Sequence, residues 1–379
     1  MHLPWKYPVI AGIVIIHVCI LALFFSPGQT LSCQRRAASA SSETPLPADN
    51  LTPTTPPAVK GQPAKATPTT PAKGGGKPAS QTGRHNLKPY QTGHYQKGIC
   101  PLSEKLEKEV GDVRSGVLVD LNSHVILWEK NPSKAYPIAS LTKMLTSLML
   151  LQRVEGTPGL SLDGTTITIT KDDRAYFKRE KINGVYLDEG ESFTLQEYLK
   201  CMIISSANDA AYIVGKYLGD GNVETGVQRM NEQAKKLGLN DLVFHNPHGL
   251  PIDRKDGQRI ENMGSAISVA YLAECVMQFP EFMKWSGTAR DSIMHRNKPF
   301  DLNSTNHLLR NRVPGVNGLK TGFTNTAGYC IAVSCTREGR TMLLVLMGVS
   351  VKTAAPDKGK RRDEIARQLL DWAFQQPAK

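Results

Sequence analysis

Ser140 and Lys143, in the stretch Ala139-Ser140-Leu141-Thr142-Lys143, have the clearest capacity for covalent chemistry in this chain. If the stretch opens a helix, three residues is just under one turn, and the hydroxyl and amine stand on one side of it. Leu141, Met144, Leu145 and Leu148 then recur at the spacing of one buried face. Pro137 ends the preceding segment, so Ser140 is expected in the first turn, where backbone N–H groups lack internal partners and the helix end is positive. Such donors stabilise an oxyanion beside a nucleophilic hydroxyl. Lys143, one turn deeper, is expected to be partly desolvated, which lowers an amine's pKa and lets it serve as a base at neutral pH. Ser-x-x-Lys also occurs on ordinary amphipathic helices, so the pair carries weight only with company elsewhere.

Two further stretches supply that company. Ser206-Ala207-Asn208 offers a hydroxyl able to relay a proton and an amide able to bind a substrate carbonyl. Lys320-Thr321-Gly322 reads as an edge strand, with a cation and a hydroxyl for a substrate carboxylate and a glycine that admits the ligand's backbone. Each tripeptide alone is weak. In this order they form the signature of penicillin-binding proteins and class A β-lactamases.

Residues from about 112 to 375 resemble the low-molecular-mass penicillin-binding proteins, specifically the serine D-alanyl-D-alanine carboxypeptidases. The resemblance rests on Pro137-Ile-Ala-Ser-Leu-Thr-Lys-Met, Ser206-Ala-Asn-Asp-Ala-Ala, Asn246-Pro-His-Gly-Leu-Pro and Gly318-Leu-Lys-Thr-Gly-Phe-Thr-Asn-Thr-Ala-Gly-Tyr. It implies an α/β (α+β), β-lactamase/transpeptidase-like fold, with an antiparallel sheet flanked by helices and a mostly helical subdomain. It also implies catalytic roles for Ser140 as nucleophile, Lys143 as proton acceptor and Ser206 as relay to the leaving D-Ala. Asn208 would orient the peptide, Lys320 and Thr321 with Gly322 would hold the terminal carboxylate, and the N–H groups of Ser140 and Phe323 would form the oxyanion hole. The implied partners are peptidoglycan stem peptides and β-lactam antibiotics. A D,D-endopeptidase of the same fold is the alternative reading. A β-lactamase is disfavoured because Asp188, Glu189 and Glu191 lack the context of a deacylating carboxylate. A non-catalytic wall-binding module predicts loss of a motif residue, and all are present. No cofactor is expected. No metal is expected either, since His245 and His248 flank Asn246-Pro247 as loop-packing residues.

The elements that must position these residues can be read around them. Glu104 to Val110 reads as a short helix, and Asn122-Ser123 as the turn of a hairpin between Gly116–Leu121 and His124–Glu129. Thr165 to Thr170 reads as a strand. Phe193 to Leu218 reads as one helix, opened by Thr194 with Glu197 three residues on. Helices are expected over 222–237 and 264–278, then strands over 318–323, 328–335 and 341–350, and a closing helix over 361–375. Strands near both ends with helices between them predict one sheet built from the termini around a helical insertion. No second domain is expected after the closing helix.

Upstream of residue 100 the composition changes. Residues 1–33 read as an N-terminal membrane anchor or signal segment: Pro8 to Phe25 runs without a charge after Lys6, reaching the length of a membrane span, and is expected to export the protein, either anchoring it to the inner membrane uncleaved or serving as a cleaved or lipidated signal. Residues 34–99 are rich in Pro, Thr, Ala, Ser, Gly and Lys and lack the apolar residues for a core. They are expected to form a disordered tether, with a reach on the order of 200 Å at about 3.1 Å per residue. Much of the formal net charge of +12 lies there. It is not clustered with aromatics, so nucleic acid is not an expected partner. The cysteines contain no Cys-x-x-Cys; Cys330 and Cys335 should face opposite sides of one strand, while a disulfide to Cys100 is left open.

Overall fold

The computed structural model describes residues 85–350 and 359–378. The expected anchor over 1–33 and most of the expected tether lie outside the described residues. Among the described residues no helix is long and apolar enough to cross a membrane.

Among the described residues the main sheet has six strands: β1 (Gln96–Lys97), β2 (Ser115–Asp120), β3 (Val125–Lys130), β4 (Val316–Thr324), β5 (Gly328–Arg337) and β6 (Arg340–Val349), in the order β1-β3-β2-β6-β5-β4. Only the β1–β3 pair is parallel. The sheet is therefore made from the two ends of the domain, as the strand pattern predicts, and β4 lies at its edge.

Alternation along the central strands divides the core into two layers. Cys330 and Ala332 of β5, with Leu343, Val345 and Met347 of β6, pack against the helical part. Ile331, Val333 and Cys335, with Met342, Leu344 and Leu346, pack on the other face against the Glu104–Val110 helix and the closing helix Lys360–Phe374. A sheet buried on both faces explains why β6 reads as an almost unbroken apolar run. It also puts Cys330 and Cys335 on opposite faces, as their odd spacing requires. Cys100, Cys201, Cys275, Cys330 and Cys335 are all buried free thiols.

Two expectations need correction. The helix expected over 193–218 is broken. Thr194 does cap it, its hydroxyl accepting from Glu197 N while Glu197 accepts from Thr194 N, but the first helix spans only Leu195–Ile203. A second begins at Asn208 and runs to Leu218. Ser206, between them, has φ +62°, a left-handed conformation no helix interior tolerates. The break sets the Ser206 and Asn208 side chains at a helix start instead of along a helix flank.

The second correction concerns residues 85–99, assigned by composition to the tether. The His85 ring packs tilted against Phe279, Tyr90 N donates to the Leu237 carbonyl, Tyr95 is buried, and Gln96 and Lys97 pair with β3. Tyr90, His94 and Tyr95 supply the aromatic surface that the repeats upstream lack. The Arg290–His295/Lys298–Asn303 hairpin and the Lys171–Arg179 helix, neither anticipated, complete the helical side.

Candidate active site

Residues Ala139–Thr142 form a 3₁₀ turn that feeds directly into the helix Lys143–Gly156. Ala139 adopts φ +47°, unusual for a residue with a β-carbon, so the turn must be held from outside. Thr142 Oγ1 donates to the Ala139 carbonyl (2.7 Å), and Asn262 Nδ2 donates to Thr142 Oγ1 (2.9 Å). Two glycines lie close against the turn. A Cβ at Gly249, where φ is +88°, would lie 2.0 Å from the Ala139 carbonyl oxygen. One at Gly322 would lie 3.0 Å from Ser140 N. Gly322 thus makes room for the Ser140 turn itself, where the sequence reading had it admit the ligand.

Lys143 is fully buried and its Nζ has three partners: Ser140 Oγ at 2.9 Å, Asn208 Oδ1 at 2.7 Å and the His248 carbonyl at 2.6 Å. No carboxylate is among them. Burial first, and then the Lys320 charge, hold its pKa well below the ordinary lysine value, with Asp209 pulling weakly the other way. A neutral amine has two N–H donors and one lone pair. Asn208 and His248 take the two donors, which leaves the lone pair toward the Ser140 hydroxyl.

Asn208 is itself fixed. Its Nδ2 donates to Asn183 Oδ1 (2.5 Å), so its carbonyl end faces Lys143. Asp209, next in the chain, is buried and accepts from the N–H groups of Val185, Tyr186, Leu187 and Ala210. Those bonds clamp the loop that carries Asn183. The expected peptide-orienting amide is therefore also a structural tie to the base. Ser206 is half-buried, and among the described residues its hydroxyl bonds to neither Lys143 nor any other group.

Lys320 is 1 % exposed, and its Nζ donates to the Thr321 carbonyl (2.9 Å). Burial, reinforced by the Arg362 guanidinium, lowers its pKa to about 7. Register pairs Lys320 with Ala332 and Gly322 with Cys330, on the face toward the Ser140 turn. Thr321 pairs with Ile331, and its hydroxyl is bonded to Thr305 (2.5 Å). Phe323 is half exposed and stacks on Tyr329, leaving an apolar rim beside the turn.

The turn residues, Lys143 and Asn208 are thus in direct contact, and Lys320 and Gly322 approach from the edge strand. Sequence reading missed the loop Asn246–Leu250 as a support of the base. Asn246 Oδ1 accepts from His248 N and Gly249 N, and Asn262 Oδ1 accepts from His245 N and Asn246 N. His248 is buried as expected of a packing residue, yet its backbone carbonyl is a direct partner of Lys143. Asp188 and Glu191 are engaged elsewhere, with Arg296 and with His295.

Comparison with known proteins agrees with this arrangement. A family model described as D-alanyl-D-alanine carboxypeptidase matches residues 105–351. The chain is 30% identical over 268 residues to D-alanyl-D-alanine carboxypeptidase DacF of Bacillus subtilis, covering 70% of this chain and 63% of that protein. It is 28% identical over 257 residues to a D-alanyl-D-alanine endopeptidase of Pseudomonas aeruginosa, covering 66% of this chain and 74% of the relative. A solved D-alanyl-D-alanine carboxypeptidase of Mycobacterium tuberculosis superposes with a TM-score of 0.62 at 26% identity, over 74% of this chain and 96% of that one. The Streptomyces K15 DD-transpeptidase shares the fold, with a TM-score of 0.60 at 21% identity over 70% of this chain and 98% of that one.

Proposed function

Because the chain belongs to the D-alanyl-D-alanine carboxypeptidase family, we propose that it removes the terminal D-Ala from peptidoglycan stem pentapeptides through an acyl-enzyme on Ser140. Lys143, as the neutral amine, takes the Ser140 proton as Oγ attacks the penultimate D-Ala carbonyl. The N–H groups of Ser140 and Phe323 receive the oxyanion. The C–N bond breaks as Ser206 passes its proton to the leaving D-Ala amine and is reprotonated by the Lys143 ammonium, which returns Lys143 to the neutral amine. Water then attacks the ester, Lys143 takes its proton and returns it to Ser140 Oγ as the acyl C–Oγ bond breaks, and the shortened stem peptide leaves with a free carboxyl group. Lys320 and Thr321 hold the substrate carboxylate, whose negative charge favours the ammonium form of Lys320 on binding. The observation that carries this reading is the partner set of Lys143: two acceptors, a hydroxyl and no carboxylate.

The apolar run 8–25 exports the protein and holds the catalytic domain at the outer face of the inner membrane, with the segment up to residue 84 as tether. The support for this is composition.

A second reading is favoured by the relatives named D-alanyl-D-alanine endopeptidase: cleavage of D-Ala cross-links by the same chemistry. One assay separates the two. Purified protein is incubated with a D-Ala-D-Ala pentapeptide and with a cross-linked muropeptide dimer, and the products are weighed by mass spectrometry. Loss of one alanine from the pentapeptide supports the carboxypeptidase; conversion of dimer to monomers alone supports the endopeptidase. Neither product, with intact penicillin labelling of Ser140, removes both.

A further inference from the structure

A second cluster of chemistry-bearing side chains lies apart from the Ser140 constellation. His94 Nε2 approaches both oxygens of Glu274, at 3.2 and 3.0 Å, and His124 Nε2 approaches Glu274 Oε1 at 3.2 Å. Tyr95 OH donates to Glu274 Oε2 at 2.6 Å. The three ligand-type residues come from separate elements: the segment before β1, the β2–β3 turn and the helix Ala266–Met277. His124 holds φ +55° in that turn. Aromatic rings hold both imidazoles in place: Tyr271 lies edge-on to His94, with centroids 4.8 Å apart, and Tyr95 stacks on His124.

The ion-pair pattern separates this cluster from an ordinary salt-bridge network. Among the described residues no Lys or Arg pairs with Glu274; its partners are two imidazoles and a phenol. The other cluster of similar composition, Asp188, Glu191 and His295, has its carboxylates occupied by Arg174 and Arg296. Zinc–ligand bonds of about 2.0–2.1 Å in tetrahedral geometry put ligand atoms about 3.3 Å apart. The His–Glu separations fall near that value, and the three ligand atoms all lie within 4.8 Å of one another.

We propose that His94, His124 and Glu274 form a binding site for a divalent transition ion of zinc type, completed by water, that pins the entering segment 85–99 to the catalytic domain. Imidazole nitrogens and one carboxylate oxygen are donors that zinc accepts, and three protein ligands leave one position for solvent. Tyr95 occupies the place of an outer-sphere partner that fixes the carboxylate. On binding, the imidazole nitrogens present lone pairs to the ion in place of N–H donors to Glu274. The site then joins three elements through one ion, where the chain leaves its tether and enters the fold. Its consequence is local: the ion ties the segment to the β2–β3 turn and the helix Ala266–Met277, in addition to the Tyr90 N–Leu237 bond and the β1 pairing.

The test uses the full chain, stripped of metal with a chelator and titrated with Zn²⁺ by calorimetry and with Co²⁺ by visible absorption. The expected result is one equivalent of metal per chain and a cobalt spectrum of low coordination number. Zinc should also raise the thermal midpoint by about 5 °C or more when saturating. Glu274→Gln and, separately, His124→Gln should abolish the stoichiometric uptake, while Tyr95→Phe should weaken it about 10- to 100-fold. Penicillin labelling of Ser140 in each variant shows that the fold is kept. The proposal is overturned if the wild type takes up no zinc, or if Glu274→Gln binds with unchanged stoichiometry and affinity. In either case the three side chains are a hydrogen-bonded cluster and nothing more.

Discussion

Lys143 Nζ lies 2.6 Å from the backbone carbonyl oxygen of His248, so the base proposed for Ser140 is held by a loop more than a hundred residues away in sequence. That carbonyl and Asn208 take the N–H groups of the amine, which turns its lone pair toward Ser140. Lys143→Arg puts a permanently charged guanidinium where the neutral amine is needed, and should slow acylation by about 10² to 10⁴. Near-wild-type acylation of that variant, measured by stopped-flow with a chromogenic β-lactam, would remove Lys143 from the mechanism.

The two lysines set opposite limbs of the pH profile. Acylation needs Lys143 neutral and Lys320 charged, so kcat/KM rises as Lys143 loses its proton and falls as free-enzyme Lys320 does so near its pKa of about 7. Lys320→Arg keeps the charge at all accessible pH and should flatten the falling limb, whatever the loss in maximal rate. An unchanged limb would assign it to another group.

Gly249→Ala should disrupt the Ser140 turn. The added Cβ would sit 2.0 Å from the Ala139 oxygen in a backbone conformation of φ +88°. The expected loss is about 2–4 kcal/mol in stability, with penicillin acylation slowed by about 10²-fold. Equal stability and labelling in chemical denaturation and gel assays would show that the loop yields.

Acid should destabilise the domain partly through His248. Burial, and then the Lys143 charge, lower its pKa to about 3 from an ordinary 6.5. The unfolded state therefore binds the proton first, and stability contributed by the neutral ring is present above pH 6.5 and lost as pH falls toward 3. One proton gives a slope of about 1.4 kcal/mol per pH unit. Urea midpoints of wild type and His248→Gln between pH 4 and 7 should differ in slope by up to that amount; parallel curves would sink the assignment.

Truncation should be sensitive to where it is made. Removing residues 1–84 should leave a soluble domain that still labels with penicillin. Removing residues 1–99 strips the buried Tyr95 ring and the β1 strand, and should cost about 2–5 kcal/mol. Equal melting temperatures of the two forms would return residues 85–99 to the tether.

Penicillin should acylate Ser140 and remain there. After ring opening the leaving group stays attached and blocks water, Asp209 is taken up by four backbone N–H groups, and Asp188 and Glu191 are held by Arg296 and His295. A fluorescent penicillin should label one equivalent of wild type for minutes or longer and leave Ser140→Ala unlabelled. Rapid catalytic hydrolysis with no labelled band would favour a β-lactamase.

The sequence alone determined what is local. Apolar periodicity and turn residues placed five of the six strands of the main sheet and the closing helix, and odd spacing sent Cys330 and Cys335 to opposite faces. The three short motifs pointed to the chemistry, because Ser-x-x-Lys brings its two groups together within one turn of backbone. What depends on distant partners was not legible. The break at Ser206 had a local signal, since Ser205, Ser206, Asn208 and Asp209 favour caps and turns, but the apolar periodicity on either side of them outweighed it. The partners that orient Lys143, from Asn208 and the His248 carbonyl, meet it across 65 and 105 residues. Gly322 read as a ligand glycine, and the contact of Gly249 and Gly322 with the Ser140 turn is set only by the fold. The Glu274 cluster joins three elements whose side chains share no spacing in the chain. Such meetings are decided by how the sheet and the helices pack, since only packing sets the distance between groups that no turn or strand connects.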